Sequence, residues 1–364
     1  MNPLREDLHA LAEQAPTVDL AAQAVRGARR RRATRLTVAI AAATCLIAGG
    51  GTVLLQQLRP EPPVVLTPPE TTVSPLPAEG VGPIEQAYRQ DCRTTTCAKR
   101  AWRLVTRDGA TYELTAASGT GPLEVTADGR RLAYYSSKQR TIVVRDLASG
   151  RTWKSPLKQP AEDFSGSGEH TLRLSPSGLR FIVSSWGGRR EPNKLVDVEQ
   201  GTVSDLPRGW WPVSVSDGSG PVVLAKPYDE ASQVWVLGHD PITIPDFTYD
   251  YSALAPDGRT LARLGQTFDP NRRPMVQRDG SIVVFDAVQG GRETRIPISG
   301  IPEELHPSSL GSWLNSTEVT VVAIPESSRG PVPVVYAIDV RTGKTRELFA
   351  LHDYGTTSVP GLVH

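Results

Sequence analysis

Between Trp102 and the C-terminus one unit recurs, and no other feature limits the fold as much. Its first half is an apolar strand, a tight turn and a second strand: VTADGRRLAYY (125–135), LSPSGLRFIVS (174–184), VSDGSGPVVLA (215–225), LAPDGRTLARL (254–264) and the degenerate LGSWLNSTEVTVVA (310–323). Proline presets φ in such turns, Asp accepts local backbone hydrogen bonds, and glycine takes positive φ. The second half is a β-branched strand ending in Asp, a turn and a closing strand. Asp146 with Gly150, Asp197 with Gly201, Asp286 with Gly290, and Asp339 with Gly343 share one four-residue spacing, and only QVWVLGHD lacks the Asp. The turn residues Gly129, Gly178, Gly218, Gly258 and Ser316 recur at intervals of 49, 40, 40 and 58. Those are the lengths of four-stranded propeller blades.

Five units account for residues 123–351. The leftover pieces, AWRLVTRDGATYELTAA before and SVPGLVH after, read as outer and inner strands of one more blade. The expectation is an all-β propeller of six four-stranded antiparallel blades closed by both chain ends, with five blades as the alternative. Closure removes the exposed sheet edges that promote aggregation. The unit resembles the TolB-like, WD40-like propeller repeats that carry a Pro-Asp-Gly turn, matched in full at Pro256-Asp257-Gly258. The Trp-Asp dipeptides of WD repeats are absent, so the resemblance implies the fold and no particular activity.

Upstream, Leu36 to Leu55 holds no charged residue over 20 positions, long enough as a helix to span roughly 30 Å of hydrocarbon. Such a run behind Arg29–Arg32 also describes an export peptide. Its length, the 35 residues before it and the lack of a small-x-small cleavage site favour an uncleaved anchor. Seven arginines precede it (Arg5, Arg26, Arg29, Arg30, Arg31, Arg32 and Arg35), while Arg59 stands alone in the next 25 residues. The positive-inside bias then sets the N-terminus in the cytoplasm and the propeller outside the plasma membrane. Residues 1–35 form the arginine-rich cytoplasmic segment, 36–58 the transmembrane helix, 59–87 a proline-rich linker and 88–364 the propeller. Eight prolines between Pro60 and Pro83 predict an extended, semi-rigid spacer.

Leu4, Leu8 and Leu11 fall at helical spacing, and Leu20, Ala21, Ala24 and Val25 mark a second short amphipathic piece. The layout resembles single-pass anti-sigma factors of actinobacteria, which implies a cytoplasmic protein partner at residues 1–30. Against that, the zinc-binding His-x-x-x-Cys-x-x-Cys pattern of many such proteins is missing, since His9 has no cysteine near it. The competing reading is a helix lying in the membrane interface. Cys92 and Cys97, in DCRTTTCAK, read as a disulfide outside the cytoplasm, because a pair without a nearby histidine offers a metal too few ligands.

Total charge nearly cancels, with 40 basic and 39 acidic residues, so no field suited to nucleic acid is present. A propeller alternates its connections between two faces, and here both long sets fall on one. That face collects Trp186, Arg189, Arg190, Trp210, Trp211, Phe247, Tyr249, Tyr251, Arg272 and Arg273. Aromatics and arginines on long loops have the composition of a recognition surface for a protein, a peptide or a cell-wall polymer. The alternative is that the aromatics pack between blades and the arginines are solvated.

No Gly-x-Ser-x-Gly elbow occurs, and the six histidines never fall at a metal-ligand spacing. DLASGRTW near Trp153 resembles the Asp box of sialidases, but Asp146 and Ala148 occupy that motif's serine and aspartate positions. The sequence therefore predicts a membrane-anchored, non-enzymatic binding or sensing module without metal or cofactor. Two alternatives stand beside it: a transmembrane regulator holding a cytoplasmic partner, and a cell-envelope glycan or lactone hydrolase.

Overall fold

The computed structural model describes residues 73–89, 101–160, 164, 170–185, 188, 191–228, 231–248, 250–268, 276–327, 330–351 and 357–362. The chain divides into two units, Met1–Pro69 and Glu70–His364, and all described residues belong to the second. The arginine-rich segment, the apolar run and Cys92 and Cys97, expected to form a disulfide, lie outside the described residues. Among those described, no helix is long and apolar enough to cross a membrane.

Six antiparallel sheets follow one another as blades of a propeller. Blade II is Leu123–Val125, Arg131–Ser136, Thr141–Asp146 and Thr152–Lys158. Blade III is His170–Leu174, Arg180–Ser185, Lys194–Asp197 and Thr202–Asp205; blade IV is Trp211–Val215, Val222–Tyr228, Ala231–Val236 and Ile242–Ile244. Blade V pairs Thr260–Phe268, Val276–Asp286 and Thr294–Pro297, and the Tyr251–Arg263 bridge adds its inner edge. Blade VI is Leu305–Trp313, Glu318–Pro325, Val334–Asp339 and Thr345–Ala350.

Blade I closes the ring from both ends of the unit. Its inner strand is the C-terminal Thr357–Ser358, followed by Ile84–Arg89, Trp102–Thr106 and Thr111–Leu114. Six blades are thus present, as the repeat spacing predicted. The start of the propeller is a correction. Ile84–Arg89 is the second strand of blade I, with Ile84, Gln86 and Ala87 fully buried, and not the end of a linker reaching to residue 87. Ser74–Pro75 adds a parallel fifth strand at the outer edge of Thr111–Leu114. Beyond it, Gly80 and Val81 donate backbone N–H bonds to Ala148 and Leu147 at 2.8 and 3.1 Å, strapping this stretch to blade II. Leu76 N–H donates to the Glu113 carbonyl at 2.8 Å, while Pro75 and Pro77 lack an N–H, which suits a strand at a sheet edge.

The core lies between blades rather than along an axis. One apolar cluster joins each adjacent pair; that between blades II and III holds Ala133, Tyr135, Val144, Phe164, Leu172, Phe181 and Val196. The sixth joins Val322 and Val335 of blade VI to Val359 and Leu362 of the closing segment. Middle strands are covered on both sides and read as nearly continuous apolar runs, as in the TIVVRD of Thr141–Asp146. The outermost Thr202–Asp205 is exposed throughout.

The Asp…Gly spacing now has a physical cause. Asp339 Oδ1 accepts the backbone N–H groups of Arg341 and Thr342, at 2.9 Å each, and Gly343 N–H returns to the Asp339 carbonyl at 2.8 Å. Asp146, Asp197 and Asp286 cap their turns in the same way. Gly343 takes φ +72°, and a Cβ there would stand 1.9 Å from the Pro297 carbonyl oxygen of the neighbouring blade. Only glycine fits that approach.

Candidate ligand site at the tight-turn mouth of the channel

The inner strands run in one direction around the axis, each ending in the tight turn of its half-unit. Those ends enclose a cavity of about 460 Å³ to which every blade contributes: Thr126 and Ala127, Ser175 and Pro176, Ser216 and Pro221, Ala255 and Pro256, Ser312 and Trp313, and Gly361 with Leu362 from the closing segment. The size is that of a small-molecule site. Its walls are mainly apolar, with Val125, Leu174, Val213, Val215 and Leu254 among them.

Side chains stitch the surrounding turns together from blade to blade. Arg131 Nη1 donates to the Ser177 carbonyl at 2.6 Å, and Arg180 Nη1 donates to the carbonyls of Ser216 and Gly220 at 3.0 and 2.7 Å. Ser177 N–H donates to Asp217 at 3.1 Å. Leu254 N–H donates to Ser214 Oγ at 3.2 Å, and Ala253 N–H to the Gly311 carbonyl at 3.0 Å. The closing segment completes the circle: Gly361 N–H donates to the Val125 carbonyl at 3.1 Å while its own carbonyl accepts Ser312 Oγ at 2.9 Å. Trp313 is fixed through its indole N–H, which donates to the Ala253 carbonyl at 2.9 Å. The mouth is therefore built from ordered backbone rather than from long loops.

Two ionisable side chains line it, Glu124 and Arg173, 7% and 4% exposed. Arg173 Nη1 stands 3.5 Å from Glu124 Oε1 and donates to the Leu172 carbonyl at 2.8 Å, while Ser358 Oγ donates to Glu124 Oε2 at 3.2 Å. Burial pushes the Glu124 carboxyl up to about 7, because desolvation outweighs Arg173 and the Ser358 bond. The same burial lowers the affinity of the Arg173 guanidinium for its proton, against the pull of Glu124.

The residues picked from sequence lie at the other end of the channel or outside the described set. Trp186, Arg189, Arg190, Tyr249, Arg272 and Arg273 fall outside the described residues. Trp210 is partly buried, its ring 5.1 Å from that of Trp235 with Lys226 Nζ 5.9 Å above it, and its carbonyl accepts Asn193 Nδ2 at 2.6 Å. Trp211, partly buried, opens the inner strand of blade IV. Phe247, also partly buried, precedes that of blade V, so the two share the long-loop end. Tyr251 is a correction to that list. It is fully buried, its ring 6.2 Å from Phe285 in the core between blades IV and V, and presents nothing to a surface.

Sequence reasoning missed Glu124 and Arg173. A signal was available: each lies five residues before its turn glycine, Gly129 or Gly178, where the other aligned units hold Val213, Ala253 and Gly311. Among the described residues, no group of three or more His, Cys, Asp or Glu side chains is placed to hold a metal.

No family model and no curated protein matches this chain. Solved structures similar to it include TolB from Acinetobacter baumannii, at 14% identity and a TM-score of 0.47, over 76% of this chain and 66% of that one. The chain thus spans just under two thirds of that protein's length. A putative TolB from Agrobacterium tumefaciens is similar at 14% identity and a TM-score of 0.43, over 76% and 89% of the two chains. So is a chain of a nidogen/laminin complex, at 9% identity and 0.44, over 76% and 96%. Scores this low bear on neither ligand nor activity; the six blades rest on the strand pairing itself.

Proposed function

We propose that this chain is a single-pass plasma-membrane protein whose extracytoplasmic propeller is a non-enzymatic binding or sensing module, with its ligand seated in the tight-turn mouth of the channel. One observation carries the site: a mainly apolar cavity of about 460 Å³, fenced by all six blades and holding a buried Glu–Arg pair. Apolar walls with a few convergent polar groups are the usual make-up of a small-ligand site. The membrane placement rests on the uncharged run Leu36–Leu55 and on the arginines before it. The long-loop face, with Trp210, Trp211 and Phe247, is the surface we assign to a protein, peptide or cell-wall polymer partner.

Pro176 and Pro256 are exposed turn residues at the mouth, on blades III and V. Full-length protein and a Pro176→Trp/Pro256→Trp variant, purified from native membranes, are compared by mass spectrometry of the small molecules each carries. A compound held by the wild type and missing from the occluded variant supports the reading. Identical contents from two equally stable proteins contradict it.

A further inference from the structure

The Arg173 guanidinium is held on one side only. A guanidinium carries five N–H donors. Among the described residues, both hydrogen bonds of Arg173 leave from Nη1, to the Leu172 carbonyl at 2.8 Å and to Glu124 at a long 3.5 Å, and Nε is enclosed without a hydrogen-bond partner. Arg263, the other deeply buried arginine, likewise has an Nε without a hydrogen-bond partner, and differs in its charge partners. It is 1% exposed and ion-pairs on two sides, with Asp246 at 2.5 Å and Glu293 at 2.8 Å. A buried cation with unfilled donors costs stability unless another group completes it.

Arg173 alone of the two lines the channel cavity. The carboxylate beside it cancels its charge only in part: the contact is a long 3.5 Å, and burial raises the Glu124 carboxyl. A single cation in apolar walls suits a monoanion. Around it, Val125, Leu174, Val215, Leu254 and Trp313 offer an apolar body a surface and a phosphate no second cation.

We propose that the channel-mouth cavity takes a small amphiphilic carboxylate, its anion held by the Arg173 guanidinium and its apolar body laid against Leu254 and Trp313. The inference rests on the reading of this cavity as the ligand site and names the chemistry that fills it. The planar fork of a guanidinium matches a carboxylate's two oxygens, and charge-assisted bonds of this kind are about twice as strong as neutral ones. At a buried guanidinium this contact gives both affinity and orientation, and the apolar walls select the rest of the molecule.

The test is titration calorimetry of the full-length protein in detergent with a series of phenylalkanoates and the amide and alcohol of each, on the wild type and two variants. Arg173→Gln/Glu124→Gln makes the buried pair neutral without leaving a lone charge, and Pro176→Trp narrows the mouth without touching the pair. Melting temperatures confirm that each variant folds. A carboxylate that binds the wild type at least about tenfold more tightly than its amide, with the preference lost in the double variant and binding lost in Pro176→Trp, supports the proposal. If acid, amide and alcohol bind the wild type alike and Pro176→Trp abolishes all three, the cavity is a ligand site but the carboxylate assignment is overturned. If no compound binds, or Pro176→Trp changes nothing, the cavity reading falls together with it. Should the double variant not fold, a carboxylate preference that persists in Arg173→Lys at full strength overturns the assignment, because an ammonium cannot reproduce the fork.

Discussion

Removing residues 358–364 takes out the piece on which ring closure depends. Val359 and Leu362, 3% and 7% exposed, pack against Val322 and Val335 of blade VI. Losing two such side chains costs about 4 kcal/mol. Three hydrogen bonds leave with them: Gly361 N–H to the Val125 carbonyl, Ser312 Oγ to the Gly361 carbonyl, and Ser358 Oγ to Glu124. At about 1 kcal/mol each these bring the loss to roughly 7 kcal/mol, within the range of a whole domain's stability. The truncation also bares the edge of Ile84–Arg89, which pairs only with Thr357–Ser358 on that side. Urea titration of the full-length and truncated proteins, followed by tryptophan fluorescence, is expected to show the main transition moved to well under half the wild-type midpoint or lost. An unchanged midpoint would mean that the ring closes without this segment and that the sixth inter-blade cluster contributes nothing.

Other consequences follow from single positions. Gly129→Ala forces a residue at φ +75° and sets a Cβ 2.3 Å from the Ile84 carbonyl oxygen, so a loss of about 3 kcal/mol is expected, whereas Gly201→Ala, at φ +67° with open space around it, loses only about 1 kcal/mol; equal urea midpoints for the two variants would refute the packing argument. Glu124 has its folded-state carboxyl raised to about 7 from 4.5, so the folded chain holds a proton that the unfolded chain releases, and its contribution is complete below about pH 4.5 and lost as pH rises to about 7. The loss is about 3 kcal/mol, and Glu124→Gln flattens the stability profile across that window; a variant with the wild-type slope would show that Arg173 and Ser358 keep the carboxylate charged. Asp146 works in the opposite sense: its bonds from Ser149, with Arg131 beside it, lower its carboxyl, so its stabilisation is present above the unfolded value near 3.8 and fades as pH falls, and Asp146→Asn is expected to show a weaker acid dependence below pH 4 than the wild type. Cys92 and Cys97, proposed to be a disulfide, are expected to resist thiol labelling until a reductant is added; labelling of both without one removes that bond from the account.

How much was legible in the sequence depended on whether a local rule was at work. The Asp339-to-Gly343 turn could be read in advance because the cap is made by the residue's own side chain within four positions. Gly129, Gly178, Gly218 and Gly258 were equally plain, since positive φ confines a turn to glycine. Ile84–Arg89 was hidden, because it has no copy of the repeat around it and follows a proline-rich stretch that looks like spacer. Its partner Thr357–Ser358 lies far away in sequence, at the start of the SVPGLVH piece that was legible as the closing inner strand. Tyr251 misled because a tyrosine in a long connection has the same composition whether it faces solvent or packs against Phe285. Glu124 and Arg173 were visible only as charges in otherwise apolar inner strands, LEV and LRL, aligned at one offset from their turn glycines. That they face each other across neighbouring blades is a property of ring closure, which brings residues 49 positions apart into one wall.

The central claim is that the tight-turn mouth of this propeller holds a ligand on Arg173. The most direct measurement is a density map of the full-length protein isolated from its native membrane, inspected at the channel mouth. The account predicts non-protein density in hydrogen-bond contact with the Arg173 guanidinium and extending along Trp313. A channel mouth in which Arg173 instead closes onto Glu124 with two of its nitrogens, with only solvent beside them, would contradict it.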